Sequence, residues 1–349
     1  MMKKTLVPLL LLAAGLPAPS HGAVKVVTTL AGYASVAREI GGDRITARSI
    51  APPQEDPHFI KPKPSYALML RDADLFISTG LDLELWAPVL VNKAGNRRII
   101  DGATGFVSAS HGLTLLGKPA TLSRLGGDIH IYGNPHIMTS PINAKTVAAN
   151  IATGLCKVDP SGCDIYTAHL ADFQARINRR LYGDELVDLI GADTLDALAM
   201  KGTLIPFLKE QGALDSLGGW LARGMPFRGR KIICYHKNWV YFATLFGLDI
   251  RNYVEPKPGI PPTARHVAEL IRQIPEEKIP VVLAANYFER RKPELIAQRT
   301  GITAVIVPML VGGEDGVDTY FDLVDTWVQR LRAAYLAAGP AGDGESVTP

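Results

Sequence analysis

The 349-residue chain has three cysteines, Cys156, Cys163 and Cys234, and no CxxC pair. This excludes a disulfide-dense miniature scaffold, a thioredoxin-like redox site and a cysteine-built zinc finger. Charge of one sign is also scarce. The formal net charge is +3 and no run rich in lysine or arginine occurs, so nucleic-acid binding has no electrostatic footing. There is no GxGxxG after a strand, no GxxxxGK[ST], no GxSxG and no HExxH, which removes the usual support for nucleotide binding, serine hydrolysis and zincin chemistry. The apolar run Thr5–Leu16 is too short to cross a bilayer, which takes about 20 residues. What remains is 47% hydrophobic and 20% charged, a globular composition. The length fits two domains, each large enough to bury its own core.

The first residues carry Lys3 and Lys4, then the apolar run, then the small-residue stretch APSHGA at 18–23. This is the pattern of a secretory signal peptide, expected over residues 1–23, with cleavage after Ser20 or after Ala23. No cysteine stands at either mature start, so no lipid anchor is expected there. In an oxidising compartment Cys156 and Cys163, which bracket a Lys-Val-Asp-Pro-Ser-Gly turn, suit a local disulfide, and Cys234 in KIICYH reads as a buried inert thiol.

Two segments look alike. Val24–Thr29 is a β-branched run followed by an amphipathic stretch, Ala34–Ile40, that stops at Gly41-Gly42. Lys231–Tyr235 is followed by Trp239–Phe246 and then Gly247. Each reads as strand, loop, helix and glycine stop. Further buried strands are expected at Asp74–Ser78, Pro280–Ala284 and Ala304–Val307, with helices at Pro64–Arg71, Ala144–Leu155, Thr263–Gln273 and Pro293–Arg299. Short apolar strands alternating with helices predict an α/β fold of two lobes, each a parallel sheet flanked by helices. Cys163–Leu181 has helical spacing without Gly or Pro and is expected to bridge the lobes. The expected organisation is therefore a first lobe at 24–160, a bridging helix at 161–185, and a second lobe at 186–337. The second lobe contains a partly helical insertion (Asp184–Phe227), and a disordered tail is expected at 338–349.

The chemistry lies with histidine. Of eight, His21 is in the leader, and three sit beside proline or just after a strand: His58 in EDPHF, His136 in GNPHI and His236 in CYHKNW. Proline restricts the backbone that carries the ring, and the C-terminal ends of parallel strands form the ligand crevice of α/β proteins. Neutral imidazole is the common zinc ligand, and three of them are a usual protein contribution. His130, six residues before His136, is a further candidate. His111, His169 and His266 read as structural.

The order and spacing of several blocks sharpen this. They are VVTT…EIGGD at 26–43, DPHFIKPKPS at 56–65, ADLFISTGLDLELW at 73–86, GNPHIMTSP at 133–141, YHKNWVYFATLFGL at 235–248, EPKPGIPPTARHVAELI at 255–271 and AQRTGITAVIVP at 297–308. With these the chain resembles the metal-specific (zinc and manganese) solute-binding proteins of ABC importers, cluster A-I. The resemblance implies two lobes joined by a long rigid helix, with one metal in the cleft. His58, His136 and His236 take the positions of ligands. Second-lobe carboxylates of that family fall at Ala285 and Val307, so the fourth ligand passes to His130, to Glu289, Glu314 or Asp315, or to water. Without carboxylates the site favours zinc over manganese, which prefers oxygen donors. Gly102–Gly127 has one histidine and no accessory His-rich tract.

The expected function is a periplasmic, non-enzymatic, monomeric zinc receptor. It binds Zn2+ as cargo and delivers it to the membrane permease of an ABC importer, with a metallochaperone as a further partner. Lobe movements are expected to be small, with the permease disturbing one His-bearing loop to release the metal, and binding is expected to weaken as histidine protonates. The alternatives are a manganese or iron receptor of the same fold, or a secreted zinc hydrolase using Glu55 as general base.

Overall fold

The structure is a computed structural model that describes residues 22–118, 130–257 and 259–340. The expected signal peptide up to His21 and the tail from residue 341 lie outside the described residues.

Among the described residues, eight strands form two parallel four-stranded sheets. In the first, β1 (Val24–Thr28), β2 (Ile45–Ser49), β3 (Leu75–Ser78) and β4 (Phe106–Ser108) are ordered β2-β1-β3-β4. In the second, β5 (Lys231–Cys234), β6 (Asp249–Tyr253), β7 (Val281–Ala285) and β8 (Thr303–Val307) are ordered β6-β5-β7-β8. Strands β3 and β7 are buried at every residue, as helices on both faces require. In each lobe the chain runs to one side of the first strand and then crosses to the other. The point where the strand order reverses opens a crevice at the carboxyl ends of β1 and β3, and again at β5 and β7.

The helices are α1 (Ala31–Gly41), α2 (Pro64–Arg71), α3 (Ala87–Ala94) and α4 (Pro141–Val158) in the first lobe, then α5 (Cys163–Tyr182). After it come α6 (Asp184–Ile190), α7 (Ala192–Met200), α8 (Leu204–Glu210), α9 (Gly219–Gly224), α10 (Val240–Phe246), α11 (Ala264–Glu277), α12 (Arg291–Thr300) and α13 (Tyr320–Ala337). The segment 184–227, expected to be partly helical, is helical through most of its length. Three strands escape the sequence reading, and all three lie at sheet edges. β2 has one buried residue, β6 has none and both carry charged residues, and β4 has only three residues, so none presents the continuous apolar run of a central strand.

Helix α5, about 30 Å long at 1.5 Å per residue, joins the lobes. Its buried stripe is Tyr166, Phe173, Ile177 and Leu181. The Phe173 ring lies 5.4 Å from Phe321 of α13. Arg176 pairs with Glu39 of α1 at 2.5 Å while its guanidinium sits 4.8 Å from the Phe321 ring centre, so one side chain ties both lobes. At the far end of α5 the chain passes so close to α9 that a side chain on Gly219 (φ +60°) would strike the Arg180 carbonyl at 2.3 Å.

The start of α5 is fixed in two ways. Cys156 and Cys163 form the expected disulfide, whereas Cys234 is a buried free thiol whose pKa burial raises. Between the two half-cystines, Asp159 accepts from Arg44 (2.8 Å), Tyr166 (2.5 Å) and Ser161 (2.7 Å). Burial alone would raise the Asp159 pKa, but these donors outweigh it and bring it down to about 2. A depressed carboxylate stabilises the fold above its unfolded value of about 3.9 and loses that contribution as pH falls through its folded value. Asp159→Asn is therefore expected to lower the urea midpoint at pH 7, with the gap to wild type closing between pH 4 and pH 2. A gap independent of pH would show that the carboxylate charge contributes nothing.

Candidate metal centre

Two histidines arrive on the same local device. In Asp56-Pro57-His58 and Asn134-Pro135-His136 the Asx side-chain oxygen accepts the backbone N–H of the histidine two residues on, at 3.0 Å in both. Proline fixes φ in the middle, so the ring leaves the backbone in one direction. His58 follows β2 on a single 3-10 turn, Pro57–Phe59. His136 precedes α4, whose N-cap is Ser140 and whose first residue is Pro141. His236 comes two residues after β5, at the crevice of the second sheet.

The loop 79–86 braces the first-lobe side. Trp86 donates its indole N–H to the Pro57 carbonyl at 2.7 Å, holding the His58 turn, and the Asp82 backbone, at φ +59°, hydrogen-bonds His130. The loop is anchored from beneath by Glu84, 5% exposed, which accepts from Thr29 and Thr79 hydroxyls at 2.6 Å each. Burial raises the Glu84 pKa despite these donors. Across the lobes, Asn134 donates to the Lys237 carbonyl at 2.6 Å and Tyr241 to the Asn134 carbonyl at 2.7 Å, so neighbours of His136 and His236 are tied directly to each other.

The rings converge. One nitrogen from each of His58, His136 and His236 lies within 4.8 Å of the others. The ring centres of His58 are 5.2 Å from His136, 5.4 Å from His236 and 5.3 Å from His130. His130 Nε2 is 3.2 Å from His58 Nε2, while His58 Nδ1 is held by Asp56 at 2.6 Å. Nε2 of His136 and both ring nitrogens of His236 are buried without a hydrogen-bond partner. A buried polar atom left unpaired costs about 1–3 kcal/mol, and three such atoms lie in this one cluster.

Burial, followed by the charge that would develop on His58 and His236, holds His136 well below the ordinary imidazole range and brings His130 down to about 3. Those two rings are therefore neutral near pH 7 and keep a lone pair to donate. Burial opposes ionisation of Asp56, but the His58 ring and backbone N–H reverse this and lower its pKa.

The other candidates are elsewhere. Glu289 faces Lys292 in solvent, Glu314 is bonded to Arg330, and Asp315 is exposed, so these three loop carboxylates are occupied or outside the cluster. Ala285 and Val307 are buried and paired in register at the ends of β7 and β8, offering only hydrocarbon. His169 bonds the Ile40 carbonyl, His266 the Tyr253 carbonyl, and His111 is exposed, all outside the ring cluster. Two carboxylates missed as partners are Asp56, already quoted within the DPH block, and Glu255, 3.5 Å from His236 Nδ1. Glu255 stands two residues past β6, an edge strand that the sequence pattern hides.

The model of the family described as zinc-uptake complex component A, periplasmic, matches residues 26–180 and 207–334. The chain belongs to this family. It is a metal-binding solute-binding protein of the ABC-transporter type, and a membrane permease is the partner that such a protein implies. It is 26% identical over 331 residues to the iron-binding protein YfeA of Yersinia pestis, covering 93% of this chain and 90% of the relative. It is 23% identical to the manganese ABC transporter substrate-binding lipoprotein PsaA of Streptococcus pneumoniae, covering 89% of each. A crystal structure of ZnuA superposes with a TM-score of 0.66 at 23% identity, over 90% of this chain and 99% of the other. Glu55, the base that a hydrolase would use, is exposed.

The Glu84 anchor makes the brace testable. Glu84→Ala removes the buried acceptor shared by the Thr29 and Thr79 hydroxyls, leaving them the Ile77 carbonyl and the Tyr33 hydroxyl, and is expected to cost about 1–3 kcal/mol, read from urea unfolding of metal-free protein. A loss under about 0.5 kcal/mol, the scale of an ordinary surface substitution, would remove Glu84 from this role.

Proposed function

We propose that the chain is a periplasmic receptor that captures one Zn2+ between its lobes. His58, His136 and His236 bind the ion as cargo, with His130 as the fourth ligand, and the receptor passes it to the permease of an ABC importer. The observation that carries this is the convergence of four imidazoles, three of whose buried nitrogens have no other partner, beside strand ends that supply only Ala285 and Val307. An all-nitrogen set suits zinc, whereas manganese prefers oxygen donors. Relatives bear names for iron and for manganese, so the zinc reading rests on ligand chemistry.

Export rests on the leader pattern of residues 1–23 and on the Cys156–Cys163 bridge, which favours an oxidising compartment. We read residues 24–160 and 186–337 as the two lobes and the receptor as a monomer. The bonds between Asn134 and Lys237 and between Tyr241 and Asn134 tie the lobes beside the metal, so loading adjusts loops rather than closing a wide cleft.

Titration of metal-free protein against a competing chelator should give one Zn2+ per chain. His58→Ala, His136→Ala and His236→Ala should each weaken zinc by more than the roughly 10- to 100-fold that loss of a supporting residue costs. Zinc affinity unchanged in all three would overturn the site. Zinc at about 1,000 times its Kd should add about 4 kcal/mol to stability, reversed by chelation. Manganese should produce a much smaller rise in Tm, and an equal rise would overturn the preference for zinc.

A further inference from the structure

His236 is 3% exposed and its Nδ1 faces the Glu255 carboxylate at 3.5 Å, just beyond hydrogen-bonding reach. Glu255 is itself 8% exposed. Among the described residues no lysine or arginine pairs with it; its contacts are the Gly259 amide, which donates to it, and His236. A buried carboxylate without a cation is costly unless a positive charge arrives nearby. The first lobe repeats the arrangement more tightly, with Asp56 Oδ1 2.6 Å from His58 Nδ1. Each carboxylate follows the strand that flanks its lobe's first strand, Asp56 after β2 and Glu255 after β6.

We propose that Glu255 is a positioning residue for the cargo. It takes the Nδ1–H of His236, fixes the tautomer that presents Nε2 to the cation, and with Asp56 supplies the negative charge that neutral imidazoles lack. A divalent ion, four neutral rings and two carboxylates sum to zero charge in a buried site. A carboxylate behind a metal-binding imidazole orients the ring and raises its basicity. This inference rests on the zinc reading above.

The test is a double-mutant cycle on the full chain, with zinc affinity from chelator competition and Co2+ spectra as a probe of coordination. Glu255→Ala should weaken zinc roughly 10- to 100-fold, keep one ion per chain and leave the Co2+ visible bands unchanged in intensity. Glu255→Gln, which keeps an acceptor but no charge, should lose less, and it carries the test if the alanine variant does not fold. In a His236→Ala background, Glu255→Ala should cost less than about twofold, because its effect passes through the missing ring. Equal losses in both backgrounds would make Glu255 merely structural, and wild-type affinity in Glu255→Ala would remove it altogether. Altered Co2+ bands would make it a direct ligand. Each of these outcomes overturns the proposal. Zinc binding by His236→Ala at wild-type strength would instead overturn the zinc site itself.

Discussion

Imidazoles drawn from both lobes are buried together with nitrogens that have no hydrogen-bond partner among the described residues, and the surrounding architecture answers to that constraint. A ring in this position is tolerable only while neutral and only while its lone pair has a destination. Burial settles the first condition for His130 and His136 by disfavouring their protonated forms. A cation bound as proposed would meet the second. A cluster of neutral rings without such a ligand would carry several unpaired polar atoms, and native interiors keep few of these.

Holding rings from distant parts of the chain at such separations takes more than the two sheets. Parallel sheets bring the loops after β2, β4 and β5 to the crevice, but loops alone leave ring directions loose. Direction comes from the paired Asx-Pro-His turns and from the Trp86 contact with Pro57. The spacing between lobes comes from α5, whose Arg176 pairs with Glu39 of α1 while stacking on Phe321 of α13. Asn134 bonds both His136 and Lys237, so the side chain that shapes one histidine turn also touches the strand-end loop of the other lobe.

Much of this was legible in the sequence because proline-flanked histidines and apolar central strands leave local marks. His58, His136 and His236 stand out through their neighbours, and β1, β3, β5, β7 and β8 through continuous apolar runs. What stayed hidden depends on partners distant in sequence. Edge strands such as ITARS and DIRNY face solvent on part of their surface and read as loops. Since β6 was not seen, the crevice position of Glu255 just after it was not seen either. Glu84 likewise looks like a surface acid in GLDLELW, yet the fold buries it under two threonines 55 and 5 residues away in the chain.

The placement of charge also bears on why such a site would release its cargo. Carboxylates bound directly to a metal must be pulled from it one by one, each against a full negative charge. In the proposed site the negative charges of Asp56 and Glu255 would sit behind the imidazoles, and the direct contacts would be with nitrogen. Displacing one histidine-bearing loop would then remove a neutral ligand and its supporting carboxylate together, since Asp56 and His58 share a single turn. The first-lobe turn is the loop best suited to this. Its outer residue Phe59 is exposed, while Pro57 and Ile60 are buried and Trp86 bonds the Pro57 carbonyl.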